Sequence, residues 1–329
     1  MKRLIAVFLC VCALLTVFAG CGAKKRGDKL QIIVTVFPAY DWVKNVVGGS
    51  DKVDVTLLND KGVDMHSFQP TMKDITDISS CDVFVYVGGE SDKWVEDVLK
   101  DRKNKDMLCI NLMEALGDKA KQEEAVEGMQ AEEEGEDELE YDEHIWLSLK
   151  NAAVLTDAIA EKLGEKDGDR KDDYMKNAAA YREKLEALDG EYASAVANAR
   201  YKTLIFADRF PFRYLMDDYG LEYYAAFSGC SAETEVSTET IAALVKALDD
   251  NKLPAVVMTE ASDGKIARTL FENSTVKPTD TVVIMNSLQS VTGERAAAGE
   301  TYLGVMRQNL TALQTALGMG EKGNGTVDM

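Results

Sequence analysis

The chain has 329 residues and a formal net charge of −20, from 37 Lys and Arg against 57 Asp and Glu. That balance argues against nucleic acid as a partner, because phosphate binding needs clustered positive charge. It is compatible with a surface that draws in cations. Histidine occurs only twice, so any chemistry that needs imidazole must use His66 or His144.

Lys2 and Arg3 precede an apolar run over residues 4–19, and small residues lead into Cys21. This is the pattern of a secretory signal closed by a lipobox-like cut site. It predicts loss of residues 1–20, lipidation of Cys21 and a polar tether over 21–29. An uncleaved anchor helix with an incidental cysteine is the alternative. Both place the folded part outside the cytoplasm, anchored to a membrane and not spanning it. Cys10 and Cys12 leave with the signal. The three that remain, Cys81, Cys109 and Cys230, show neither a disulfide framework nor a CxxC knuckle. They read as small buried residues, with a Cys81–Cys109 pair possible only if their strands are neighbours. The mature chain is long enough for two domains.

Residues 30–37 are apolar and β-branched and predict a buried strand. Pro38 to Asp41 break it, and a helix follows over 41–49, ended by glycine. Residues 53–58 predict a second strand, which places His66 in the loop after it, where α/β folds collect ligand groups. A helix over 72–79, a strand over 82–87, a helix over 92–100 and a strand over 107–110 continue the alternation. That grammar predicts a parallel sheet covered by helices.

Residues 121–140 hold ten Asp or Glu against one Lys. This reads as a solvated acidic loop (118–141 with its flanks). It is either a passive insertion or a feature that handles cations, since it ends at His144. Ser148 is a candidate N-cap. Ala152, Leu155, Ile159 and Leu163 follow at helical spacing, with Gly164 as the terminator. A longer helix over 170–199 carries a stripe of Tyr174, Ala178, Tyr181, Leu185, Leu188, Tyr192 and Val196, at roughly 45 Å enough to run the length of the molecule.

The same grammar then returns. A strand over 203–207 ends at Asp208-Arg209, and helix 211–218, strand 222–227, helix 237–249, strand 255–259 ending at Glu260, helix 263–273, strand 281–285 ending at Asn286 and helix 299–317 follow. Two parallel-sheet α/β lobes joined by one long spine helix, with a cleft between them, are expected. The divisions are an N-terminal lobe over 30–165, the spine over 166–199, a C-terminal lobe over 200–318 and a disordered Gly-rich tail over 319–329.

Four segments carry a family resemblance: GVDMHSFQPT (62–71), DEHIWLSLKN (142–151), RYLMDDYGL (213–221) and AETEVS (232–237). Taken with the lipoprotein signal, the acidic insert and the spine, they resemble the metal-binding lipoproteins that serve zinc and manganese ABC importers. The resemblance covers essentially the whole mature chain. It implies a metal held by four side chains from four loops, two per lobe, and an ABC permease as partner. The first two ligands carry over onto His66 and His144. The family's third ligand stands ten residues before the Tyr of Tyr-Gly-Leu, which is Arg209 here, and a guanidinium cannot bind a cation. The fourth falls at Asn286, a neutral oxygen donor.

Three readings of the C-terminal half follow. The site is rebuilt with Asp208 and a carboxylate from Glu235, Glu233 or Glu260; or it is a weaker site of two histidines, one carboxylate and water; or the chain has drifted to another ligand. The expected set is His66, His144, Asp208 and Glu235. In each reading Arg209 needs a carboxylate partner, for which Glu233, Glu235 and Glu260 are candidates. Two imidazoles with carboxylates suit Zn²⁺ best, with Mn²⁺ or Fe²⁺ as alternatives in a more oxygen-rich shell. Asp142, Glu143 and Asp64 are expected to orient the rings. A metal-dependent hydrolase is the rival class, but the chain has no HExxH, GxSxG or phosphate-binding glycine loop. A tethered adhesin has no positive feature in its favour. A monomeric binding protein without catalysis is therefore expected.

Overall fold

The computed structural model describes residues 29–130, 141–231, 235–276 and 282–319. The signal segment, Cys21, the middle of the acidic run, Glu233 and the tail beyond 319 lie outside the described residues.

Two four-stranded sheets form, each wholly parallel. β1 (Leu30–Val34), β2 (Val53–Leu57), β3 (Val83–Tyr86) and β4 (Leu108–Asn111) stand in the order β2-β1-β3-β4. β5 (Thr203–Phe210), β6 (Glu222–Ser228), β7 (Val256–Thr259) and β8 (Val282–Met285) stand in the order β6-β5-β7-β8. The two lobes thus repeat one strand order. In each, chain direction switches beside the first strand, which opens a crevice at the carboxyl ends of the strands.

The helices of the N-terminal lobe are α1 (Phe37–Val47), α2 (Met72–Ser80), α3 (Trp94–Lys100) and α4 (Leu112–Leu116). α5 (Leu149–Lys166) and α6 (Lys171–Asn198) follow, and the 28-residue α6 is the spine. The C-terminal lobe carries α7 (Arg213–Tyr219), α8 (Thr238–Asn251), α9 (Lys265–Asn273), α10 (Gly293–Ala297) and α11 (Tyr302–Ala316).

Three local readings need correction. Pro38 does not delay the first helix: it sits in the first turn of α1, where its missing N–H has no helical acceptor to lose. Gly164 does not end α5. It is buried inside the helix, and a Cβ there would meet the Lys171 side chain at 2.8 Å, so the glycine lets α6 begin close against α5. β5 does not stop before Asp208. A register shift between Phe206 and Arg209 carries it on to Phe210, as a bulge allows. The final helix expected over 299–317 is α11, opened by Thr301, whose hydroxyl accepts from the Gly304 N–H, and the short α10 lies ahead of it. Elsewhere local signals act as read: Ser148 caps α5 by accepting from Asn151 N–H.

One hydrophobic core runs through both lobes. It joins Val34, Trp42 and Val85 to Leu185 and Tyr192 of the spine and on to Phe206, Val257 and Leu313. α6 is not the only bridge. α11 leans back across the molecule, where Tyr302 meets the Trp42 ring edge-on at 5.4 Å and donates to the Trp146 carbonyl at 2.6 Å. Tyr192 of the spine donates to the Met306 carbonyl. Among the described residues no helix is long and apolar enough to cross a membrane. Cys81, Cys109 and Cys230 are thiols, not disulfide partners.

Candidate metal centre

The cleft between the carboxyl edges holds a cavity of about 130 Å³, lined by Gly62 and Asp64 from one lobe and by Asp208, Arg209, Gly229, Thr259 and Gln289 from the other. The two histidines meet beside residues of its lining, Gly229 and Gln289, which both approach His144. His66 Nε2 lies 3.3 Å from His144 Nε2, with ring centroids 5.3 Å apart.

Each ring is held by its other nitrogen. His66 stands in a one-turn 3₁₀ helix (Met65–Ser67), capped by Asp64, whose Oδ1 accepts from the His66 N–H at 3.0 Å. Its Nδ1 lies 2.8 Å from Ser91 Oγ, in the loop after β3. His144 is wholly buried. Asp142 Oδ1 receives both its backbone N–H and its ring Nδ1–H at 2.8 Å. That tautomer, assigned from the network, leaves the His144 Nε2 lone pair facing His66. Asp142 is itself pinned: its N–H donates to the Lys121 carbonyl, and its own carbonyl accepts from Tyr214 of α7. Trp146 locks the next turn by donating to the Ser287 carbonyl across the cleft.

Burial, the facing His144 and the Arg209 charge push the His66 pKa down to about 4, so this ring is neutral near pH 7. At His144 burial also disfavours protonation, but the charge and hydrogen bond of Asp142, aided by Glu143 and Glu123, outweigh it and move the net direction up. Glu143 is 1% exposed, and burial lifts its carboxyl to about 7. Its Oε1 accepts from the Ser91 N–H, while Oε2, 3.8 Å from His66 Nδ1, is buried with no hydrogen-bond partner.

The opposite wall departs from the expected ligand set. Asp208 is committed to the scaffold: its Oδ2 accepts from Thr259 Oγ1 and its Oδ1 from the Arg209 N–H. Glu235 is exposed just before α8. Glu260 ties the loop after β8 by accepting from the Ser287 N–H and from the Ser287 and Ser290 hydroxyls. Asn286 closes a turn by accepting from the Leu288 N–H at 2.7 Å. Among the described residues the partner of Arg209 is neither Glu235 nor Glu260. It is Asp64 of the other lobe, 3.1 Å away, so Asp64 balances a cation across the cleft and does not touch a ring. Neither Asp208 nor Glu235 joins the histidines in a potential metal cluster.

The residue that does is Cys230, in the loop after β6. His66, His144 and Cys230 each bring a ligand atom within 4.8 Å of the other two. Burial, with the charges of Glu123, Asp142 and Glu143, pushes the Cys230 thiol up, while the Glu143 backbone N–H points at its sulfur and works the other way. Gln289 also reaches the pair, its Nε2 donating to His144 Nε2 at 2.9 Å. Ser91, Cys230 and Gln289 escape sequence reasoning. Their one legible signal is position: all three follow the carboxyl end of a strand, as His66 does.

Two α/β lobes of matching strand order that clasp an imidazole pair at their carboxyl edges, around an unbroken helix, give the chain the architecture of a two-lobed solute-binding protein. Comparison with known proteins agrees. The family described as "ZnuA: Zinc-uptake complex component A periplasmic" matches residues 32–316. The chain is 35% identical over 317 residues to the zinc-binding lipoprotein AdcA of Streptococcus pneumoniae, covering 95% of this chain and 61% of AdcA. It is 30% identical over 320 residues to the high-affinity zinc uptake system protein ZnuA of Bacillus subtilis, covering 93% and 96%. The Zn(II)-bound ZnuA-like domain of Streptococcus pneumoniae AdcA superposes with a TM-score of 0.68 at 32% identity, over 88% of this chain and 99% of that domain. The chain belongs to the zinc-uptake component A family, and it spans about three fifths of the length of the streptococcal AdcA it matches.

Proposed function

We propose that this chain captures a divalent metal ion, Zn²⁺, outside the cytoplasm and delivers it to an ABC import permease, with His66 and His144 as ligands. The observation that carries this is the spacing of the two Nε2 atoms. Two Zn–N bonds of about 2.0–2.1 Å at a tetrahedral angle put the nitrogens roughly 3.3–3.4 Å apart. The pair stands at 3.3 Å, with both Nδ1 atoms already held by oxygen. Such outer hydrogen bonds fix tautomer and aim before the ion arrives. The N-terminal pattern supports anchoring through a lipid on Cys21. The zinc-binding relatives support a binding protein over a hydrolase. Asp208, held by Thr259 and the Arg209 N–H, reads better as a support for the cleft wall than as a ligand, and Glu235 as a surface residue.

The test is calorimetry on metal-free protein. His144→Ala is expected to lower zinc affinity by roughly 100-fold or more, since even an outer-shell partner costs about 10–100-fold, with circular dichroism unchanged. Unchanged zinc binding in that variant would remove the assignment. Parallel Mn²⁺ and Fe²⁺ titrations decide the metal.

A further inference from the structure

We propose that the third protein ligand is the Cys230 thiolate, with the Gln289 amide oxygen available as the fourth, so that the site is a nitrogen–sulfur centre selective for thiophilic ions over Mn²⁺. This rests on the zinc-capture reading and adds to it the chemistry that sorts one metal from another.

The geometry has three parts. The first is the cluster itself. A tetrahedral zinc with one Zn–N bond of about 2.0–2.1 Å and one Zn–S bond of about 2.3 Å sets nitrogen and sulfur roughly 3.6 Å apart. The atoms lie within 4.8 Å of one another, so the sulfur is at most about 1.2 Å further out than a bound ion needs.

The second part is how the Cys230 loop is seated. Gly229 lies flat on the His144 ring. A Cβ there would come within 3.2 Å of ring atoms Cε1 and Nδ1 and 2.9 Å of the Phe210 carbonyl. Only glycine lets the chain pass this close. The Cys230 N–H donates to Glu123 Oε1 at 2.8 Å, so the N-terminal arm of the acidic segment fastens the cysteine from outside the cleft.

The third part is buried acceptor capacity with nothing to satisfy it. Gln289 Oε1 has no hydrogen-bond partner, and neither has Glu143 Oε2 beside His66. A buried acceptor in that state costs free energy until a donor or a cation reaches it. Leu288, fully buried, takes φ +64° and turns Gln289 toward His144. Rotation of the amide exchanges the donor now on His144 Nε2 for the oxygen that a cation needs.

Binding forms a Zn–S bond and releases the thiol proton to solvent, and zinc stays divalent throughout. Thiolate favours zinc, whereas Mn²⁺ prefers carboxylate and water and lies at the weak end of the divalent series.

The test uses Co²⁺ as a spectroscopic stand-in on the metal-free chain. Wild type is expected to develop a thiolate-to-cobalt charge-transfer band that saturates at one ion per chain. Cys230→Ser should lack the band and bind zinc roughly 100-fold more weakly, while still binding through the histidines. Discrimination between Zn²⁺ and Mn²⁺ should narrow in the same variant. A band that is absent in wild type, or that survives in Cys230→Ser, overturns the proposal. If wild type takes up neither Co²⁺ nor Zn²⁺, the zinc-capture reading itself fails and this assignment with it. Zinc binding that His144→Ala abolishes and Cys230→Ser leaves intact sinks the cysteine alone.

Discussion

The most exacting residue in the site carries no side chain. Gly89 sits at φ +82°, and a Cβ there would lie 2.3 Å from Glu143 Oε1. That same oxygen accepts from the Ser91 N–H, and Ser91 Oγ meets His66 Nδ1. Gly89→Ala should therefore act twice. The left-handed backbone alone costs about 1–2 kcal/mol, read in urea denaturation. The displaced Glu143 and Ser91 should loosen His66 and weaken zinc binding by about tenfold, read by calorimetry. A stability loss with unchanged affinity would show that Ser91 does not govern the His66 ring. Legibility divides along the same line. His66 and His144 stood out because they are the only imidazoles, and Asp142 lies two residues from the ring it holds. Ser91, Cys230 and Gln289 are ordinary loop residues in sequence; Ser91 reaches His66 from a neighbouring strand end of the same sheet, and Cys230 and Gln289 come from the other lobe. Asp208 enters the expected set only through its place beside Arg209, at a family ligand position, which says nothing of the partners its carboxylate has in the fold, Thr259 and the Arg209 N–H.

Among the elements, α1 and the spine are joined by a buried acid. Tyr181 of α6 donates to Asp41 Oδ2 of α1 at 2.8 Å, and Asn45 donates to the same carboxylate oxygen. Burial raises Asp41 to about 6, with the Tyr181 hydrogen bond pulling only partly back. The folded state therefore holds this proton more tightly than the unfolded chain, whose carboxyl titrates near its ordinary value. The contribution is fully present below about pH 4 and is lost as pH rises through about 6. Two pKa units correspond to at most about 3 kcal/mol. Asp41→Asn keeps an acceptor for Tyr181 and cannot ionise. Its stability advantage over wild type should be small at pH 4 and should grow to a plateau by pH 7, measured as the difference in urea midpoints. A gap independent of pH would mean that Asp41 titrates normally. The elements themselves were legible because apolar, β-branched runs alternate with amphipathic ones. The errors came from punctuation. Pro38 and Gly164 are breakers in isolation, and their neighbours decide otherwise, the first by its place in a helical first turn and the second by the approach of α6.

Across the whole molecule, the cleft is bridged by opposite charge. Arg209 stands near the imidazole pair and disfavours a cation there, while Asp64 offsets it from the other lobe. Both side chains are about one-third exposed, so the pair is worth little to stability. Its effect should appear in metal binding. Arg209→Ala is expected to tighten zinc binding by about two- to fivefold and Asp64→Ala to weaken it by a similar factor. Both effects should shrink in 0.5 M salt, where exposed charges are largely screened. Equal losses from both variants would instead mark the pair as a mechanical clasp between the lobes.

Further along the same edge the lobes touch through backbone. The Gly293 N–H donates to the Asp60 carbonyl at 2.7 Å, and Gly62, at φ +64°, leaves no room for a Cβ beneath the Ser290 carbonyl. With α6 and α11 both spanning the lobes, this seam ties the rim of the cleft to the shared core. Under the zinc capture proposed above, release of the ion is expected to require this seam to fray, with residues 60–62 parting from 290–293, so residence time, more than capture rate, is where a docked permease would have leverage.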